Sequence, residues 1–206
     1  MHIKNKEAAL IHLAKDEKMK VLIDTVEPYL LVERENICLR LCSSIMSQQL
    51  SIKVADVIFK RFLNLYEGKE PLTSQILETP IETLRGIGLS YAKANYVHNV
   101  AGFMIDNNAD DALIKSKTNE EIIEFLTQIK GVGSWTVEML LMFTLGREDV
   151  FAVDDLGIQQ TMIKLYELNA TDKKILKKEM LQIAENWKPY RTYACFYLWK
   201  FKDNKQ

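Results

Sequence analysis

Asp154 and Asp155 stand side by side at the end of a mostly apolar run, Asp149-Val150-Phe151-Ala152-Val153-Asp154-Asp155. A carboxylate in such a setting can stabilise positive charge developing on a substrate, or orient and deprotonate a water. Both residues also suit a helix N-cap, because the helix dipole is positive there, and residue type alone does not say which of the two faces a substrate. Upstream lies Leu126-Thr127-Gln128-Ile129-Lys130-Gly131-Val132-Gly133-Ser134-Trp135-Thr136-Val137-Glu138-Met139. An apolar helix ends there in Gly-Val-Gly and a second helix starts at once. Glycine ends a helix by taking left-handed backbone angles without Cβ strain. The second glycine keeps the backbone bare where first-turn amides and the positive helix end suit a phosphate. Lys130, Gly131, Val132, Gly133 and Ser134 are therefore candidates to grip one phosphate of a nucleic-acid backbone.

The elements that must position these residues are helical almost throughout, since apolar spacing follows the helical period and no segment reads convincingly as a strand. Residues 4–15 and 18–33 read as one or two amphipathic helices, broken near Pro28, with a solvated Lys/Glu face. Glu35 to Met46 is a more apolar helix that stops at Ser47-Gln48-Gln49-Leu50-Ser51. Ser51 is a plausible N-cap for the next helix, which runs to about Leu65. A short helix fits Ser74 to Glu78, between Pro71 and Pro80. A Gly86-Ile87-Gly88 break lies between helices, before a long one over 90–106; Lys93 there could reach a phosphate, although an exposed lysine is ordinarily just solvated. Asn107 to Asp111 reads as a polar loop. Thr118 and Glu121 form a capping box for the helix that leads into the hairpin. The apolar helix from Ser134 to about Leu145 is expected to be central and to end at Gly146. A helix over 155–167 should carry Asp154 near its N-cap, and another runs from Thr171-Asp172 to about Trp187. Pro189 suits the first turn of the last helix, and Lys200 to Gln206 a frayed tail.

A chain of 206 residues that is 48% hydrophobic fits one globular unit with a sizeable core. A net charge of −1 and a pI near 6.3 do not fit a protein that coats nucleic acid, so DNA binding must come from a local patch and aimed amides. Cys38 and Cys42 fall on one helix face and are expected to be buried; the three scattered cysteines do not form a disulfide framework. His2, His12 and His98 have no metal-ligand spacing. No leader-like segment or membrane-length apolar span is read, so a reducing intracellular setting is expected.

The hairpin, Leu126-x-x-Ile129-x-Gly131-Val132-Gly133-x-Trp135-Thr136, followed by Asp149-Val150-Phe151-x-x-Asp154-Asp155, resembles the helix-hairpin-helix (HhH-GPD) DNA glycosylases. It is most similar to their 3-methyladenine DNA glycosylase II type, which removes alkylated bases. Ile45-x-x-Gln48-Gln49-x-Ser51 is a second match. Trp187-x-Pro189-Tyr190-Arg191-x-Tyr193-Ala194, followed by Leu198-Trp199, is a third. Together they span roughly residues 35 to 200. The resemblance implies an all-α fold, one glycosylase unit over 1–206, with two helical lobes and a cleft between them. One lobe covers about 36–146 and carries the hairpin; the other covers 1–35 and 147–206.

By that resemblance Asp155, the second of the pair, is the catalytic aspartate and Asp154 its cap or support. Trp135, Trp199 and Met139 fall at base-pocket positions, where an electron-rich ring stacks on a cationic methylated purine by about 0.5–2 kcal/mol. Packing explains the tryptophans as well, and Met139 stands where some relatives have a tyrosine. Gln49 is the residue that fills the gap left by an extruded nucleotide, with Gln48 and Ser51 beside it, although many relatives place an apolar residue there. Strand-cleaving relatives carry a lysine where this chain has Trp135, so base hydrolysis without a lyase step is expected. Cluster-bearing relatives have four C-terminal cysteines; here only Cys195 lies there, so no iron–sulfur cluster is expected. No room is read for the β-rich N-terminal domain of some relatives. No cofactor is required, while the carbonyls of Thr127, Ile129 and Val132 match positions that hold Na+ or K+ in family hairpins.

The implied function is a monofunctional glycosylase that extrudes alkylated purines (3-methyladenine, 7-methylguanine) from double-stranded DNA and hydrolyses the N-glycosidic bond in base excision repair. The implied partner is duplex DNA containing damaged bases, and the enzyme is expected to be monomeric, in the cytoplasm or nucleoid if prokaryotic. The alternatives are a related glycosylase for uracil or an oxidised base, and a non-catalytic binder of distorted DNA.

Overall fold

The computed structural model describes residues 6–25 and 30–203. Among them there are thirteen helices and no strand. The expected break near Pro28 and residues 204–206 of the expected tail lie outside the described residues. The helices divide between two compact units, Arg34–Leu140 and Met1–Glu33 with Leu141–Gln206. The second chain boundary falls inside a helix, earlier than the one expected near residue 146.

The unit Arg34–Leu140 holds α3 (Ile37–Ser47), α4 (Ile52–Asn64), α5 (Thr73–Glu78), α6 (Ile81–Gly86), α7 (Tyr91–Asp106), α8 (Asp111–Ser116), α9 (Asn119–Leu126) and the first part of α10 (Ser134–Phe143). α3 is apolar nearly all round, with Ile37, Cys38, Leu39, Leu41, Cys42, Ile45 and Met46 buried, which suits an interior helix. It packs on α4 and α7, and α7 also packs on α5 and α6. Local signals set most boundaries. Ser51 accepts from the Val54 amide, Ser90 from Lys93, and Thr118 and Glu121 form the expected capping box. Asp111 is expected in the polar loop 107–111. Instead it opens α8 and its carboxylate accepts the Asn36 and Ile37 amides at 2.7 and 2.9 Å, so the start of α3 is capped from across the unit.

The other unit holds α1 (Lys6–Leu13), α2 (Glu17–Thr25), the end of α10, α11 (Leu156–Tyr166), α12 (Lys173–Glu185) and α13 (Arg191–Asp203). α13 packs on α11 and α2. The N-terminal helices are more than a solvated face. Asp16 caps α2 through its Oδ1, which accepts from the Lys18 and Met19 amides. Its Oδ2 accepts from the Tyr166 hydroxyl at 2.7 Å and the Trp187 indole at 3.0 Å. Burial, with Asp16 beside it, pushes the Tyr166 hydroxyl well above the usual phenol range. Pro189 lies in the turn before α13, which begins only at Arg191, and not in its first turn; the expected tail is helical as far as Asp203.

Tyr193 is fully buried, and its hydroxyl donates to Glu148 at 3.4 Å. Burial, then the Glu148 charge, pushes its pKa up to about 12 from 10.0. The folded chain therefore holds this proton after the unfolded chain has lost it, so the stability it contributes is present below pH 10.0 and lost as pH rises through about 12. Tyr193→Phe should flatten the fall in stability across that window, measured by denaturant melts at successive pH values. A slope equal to that of wild type would refute this.

Candidate functional site

Two constellations emerge, one in each unit. In the unit Arg34–Leu140, α9 ends and α10 begins around the Gly131-Val132-Gly133 loop. Ile129 and Val132 are buried and anchor it, while Lys130, Gly133 and Ser134 are exposed. Gly131 has φ 104°, and a Cβ there would lie 2.5 and 2.6 Å from ring carbons Cδ1 and Cδ2 of Tyr96. The loop therefore rests on that ring and only glycine fits. At Gly133 a Cβ would meet nothing within 4 Å, so the fold itself does not demand glycine there. Asn99 of α7 donates to the Lys130 carbonyl at 3.1 Å. Gly133, Ser134 and Trp135 are exposed where α10 begins, and the first amides of a helix have no acceptor within the helix itself.

Trp135 follows with 40% of its surface exposed, and Met139, one turn on, is half-buried. The three loop residues whose carbonyls were read as cation ligands offer neutral backbone oxygens, a donor set suited to an alkali ion and not to zinc. The Ile129 carbonyl already accepts from the Val132 amide at 3.0 Å, which leaves it one lone pair for an ion. No group of His, Cys, Asp and Glu among the described residues could hold a metal ion.

The turn after α3 lies in the same unit. Gln49 is exposed, with φ 58°, and Gln48 is half-buried, its amide 3.4 Å from the Thr136 hydroxyl. Ser51 serves as N-cap of α4. Leu50, Ile52 and Val54 flank Gln49 with 39, 84 and 45% of their surface exposed, an apolar edge that a folded core does not require. Lys93, read as solvated, is half-buried. Its ammonium donates to the carbonyls of Met46 at 2.9 Å and Gln48 at 2.6 Å. The α7 helix dips under the turn there, so the lysine finds the last carbonyls of α3, which have no intrahelical partner.

In the other unit Asp155, not Asp154, is the N-cap of α11. Its Oδ1 accepts from the Ile158 amide at 2.9 Å and from the Trp199 indole at 2.8 Å. Asp154 turns outward and pairs with Lys177 at 2.7 Å, its side chain 59% exposed. The Trp199 ring stacks on Phe143, with centroids 5.8 Å apart and planes 25° from parallel. Trp199 thus orients the carboxylate. Gly157, which sequence reasoning missed, makes that approach possible: a Cβ there would lie 3.1 Å from the Asp155 Oδ1 and 3.2 Å from the Trp199 ring. The signal was a glycine in the first turn of a helix, where it is intrinsically unfavourable. The loop before Asp155 is tied to α13: Thr192 donates to the Arg147 carbonyl and accepts from the Val150 amide, and Arg191 pairs with both oxygens of Asp149. Thr161 of α11 donates to the Leu198 carbonyl at 3.1 Å, fixing the two helices that carry Asp155 and Trp199.

An all-helical chain with a phosphate-ready hairpin, a turn that presents polar and apolar side chains, and an indole-held aspartate has the parts of a DNA-repair glycosylase fold. Residues 42–189 match the family model described as HhH-GPD superfamily base excision DNA repair protein, and the chain belongs to that superfamily. It is 37% identical over 203 residues to DNA-3-methyladenine glycosylase 1 of Schizosaccharomyces pombe, across 93% of this chain and 86% of the relative. The solved structure of the S. pombe 3-methyladenine DNA glycosylase in complex with abasic DNA matches with a TM-score of 0.83 at 36% identity, covering 95% of this chain and 97% of that one. A DNA-3-methyladenine glycosidase from Bacillus halodurans matches with a TM-score of 0.83 at 34% identity, covering 98% of this chain and 93% of that one.

Proposed function

We propose that this chain is a monofunctional DNA glycosylase that releases alkylated purines, such as 3-methyladenine and 7-methylguanine, from duplex DNA in base excision repair. The observation that carries the chemistry is Asp155, a carboxylate fixed by one backbone amide and one indole. As the C1′–N bond breaks, its electron pair leaves with the purine and positive charge builds on the sugar. A preset carboxylate stabilises that charge, directs the water that adds to C1′ and takes the proton this water gives up. A methylated purine is already cationic, so it leaves without a strong general acid. The chain's likeness to the S. pombe and B. halodurans enzymes, both named for 3-methyladenine, supports this substrate class. The partly exposed indole of Trp135 gives a cation a stacking face, with Met139 one turn further along.

The hairpin amides of 131–134 hold the strand, and Gln49 fills the gap in the duplex, aided by the exposed apolar edge of Leu50 and Ile52. An alkali ion held by the carbonyls of Thr127, Ile129 and Val132 would add positive charge next to that phosphate. Trp135 stands in place of a Schiff-base lysine, so abasic sites should be left uncut. No helix among the described residues is long and apolar enough to cross a membrane. With DNA as substrate, the enzyme works as an intracellular monomer, in the cytoplasm or nucleoid if the chain is prokaryotic.

The test is base release from methylated duplex DNA, with products separated by chromatography. Free 3-methyladenine or 7-methylguanine with uncut abasic strands is the expected result. Binding without release would refute the reading, and a panel of uracil and oxidised bases would then separate another glycosylase from a pure binder. Trp199→Phe keeps the ring stacked on Phe143 but removes the N–H that holds Asp155. Losing a hydrogen bond to a charged group should slow base release by about ten- to a hundredfold. Unchanged single-turnover rates would remove Trp199 from the site.

A further inference from the structure

α7 runs beneath both segments to which the proposed function assigns DNA contact. Lys93, Tyr96 and Asn99 recur every third residue on it. The Lys93 ammonium holds the Met46 and Gln48 carbonyls at 2.9 and 2.6 Å. The Tyr96 ring underlies Gly131, and Asn99 holds the Lys130 carbonyl at 3.1 Å. One rigid helix thus fixes the turn that bears Gln49 and the hairpin that grips phosphate. We propose that Lys93 is a positioning residue for base extrusion: it locks the Gln48–Gln49 turn in register with the hairpin, so that Gln49 enters the duplex while the hairpin holds the strand.

The inference rests on the glycosylase reading and deepens it. Three features support it. Gln49 has a left-handed backbone, φ 58°, which a non-glycine residue keeps only when its surroundings enforce it. The carbonyl of the residue just before it is the one Lys93 holds at the shorter distance. Burial also pulls the Lys93 ammonium below the usual lysine range, so the contact is kept against a desolvation cost that a purely solvated lysine would not meet. Lys93 touches no reacting atom in this scheme; it acts through Gln49.

The test uses the full chain, with 7-methylguanine placed in a duplex and in the same strand unpaired. Lys93→Met keeps the length of the side chain and removes its donors; Lys93→Arg keeps donors and charge. Lys93→Met should release base from the duplex at least about tenfold more slowly, yet act on the single strand within about threefold of wild type, because no wedge is needed there. Fluorescence of 2-aminopurine beside the lesion should show slower extrusion, and Lys93→Arg should recover part of the duplex rate. Equal losses on both substrates, or wild-type duplex rates in Lys93→Met, would overturn the role. A wild type inactive on both substrates would instead overturn the glycosylase reading, and this inference with it.

Discussion

Asp155→Asn should release alkylated purines at least a hundredfold more slowly than wild type, yet fold and bind duplex DNA as well. The loss follows from removing a fixed charge at the point where positive charge develops, an effect on the order of 10²–10³ in rate. The retained fold follows from its second role. Asp155 is the N-cap of α11, and asparagine caps as well as aspartate, so the Ile158 amide keeps its acceptor. The asparagine carbonyl oxygen can accept from the Trp199 indole too. Stability should therefore change by no more than a few tenths of a kcal/mol. Asp155→Ala is the contrasting variant: it removes the cap and leaves the indole without this acceptor, at a cost of about 2–4 kcal/mol. Inactive but stable Asn and inactive, destabilised Ala variants would separate chemistry from capping. An active Asp155→Asn would reduce the residue to a cap. Asp154, turned outward onto Lys177, should tolerate Asp154→Asn with little change in rate.

The Asp pair also marks how far sequence reaches. Neighbouring aspartates have the same capping propensity, so the choice of Asp154 as cap was one residue off; the φ and ψ of the turn, set by loop 147–150 being tied to Thr192 and Arg191, decide which carboxylate turns inward. Ser51, Thr118 and the glycine hairpin were legible because their partners lie within three or four residues. Contacts made across a unit leave no such trace. Asp111 caps α3 from 74 and 75 positions away, Lys93 reaches back 45 and 47, and Asp16 binds the Trp187 indole 171 positions away. Their partners are backbone or ring groups that no spacing rule connects. α6 and α8, at six residues each, are too short for apolar periodicity to set their bounds, whereas α5, equally short, was legible because Pro71 and Pro80 bracket it. Trp199 was read as a base-pocket ring, but the sequence could not show that its N–H is turned onto Asp155.

The two hairpin glycines should separate folding from binding, and opposite results are expected from the same substitution. Gly131→Ala meets both a φ of 104° and ring carbons of Tyr96 at 2.5 and 2.6 Å. Neither can relax cheaply: the backbone angle is set by the loop, and the ring belongs to α7, which also packs on α3, α5 and α6. The combined strain and overlap should cost about 2–5 kcal/mol, read as a lower denaturation midpoint. Gly133→Ala meets nothing within 4 Å and has no left-handed backbone to lose. Its stability should hold or rise slightly, because alanine narrows the unfolded ensemble. Its methyl group would instead occupy the space through which a phosphate must approach the first amides of α10. Affinity for duplex DNA should fall by about tenfold or more with little change in its salt dependence, since no cation is removed. A lysine contact would behave the other way, lowering the salt slope. If Gly133→Ala binds DNA as tightly as wild type, the hairpin is a folded turn and not a grip, and strand binding must be sought elsewhere. If Gly131→Ala melts like wild type, the Tyr96 ring yields, and α7 does not hold the hairpin rigidly.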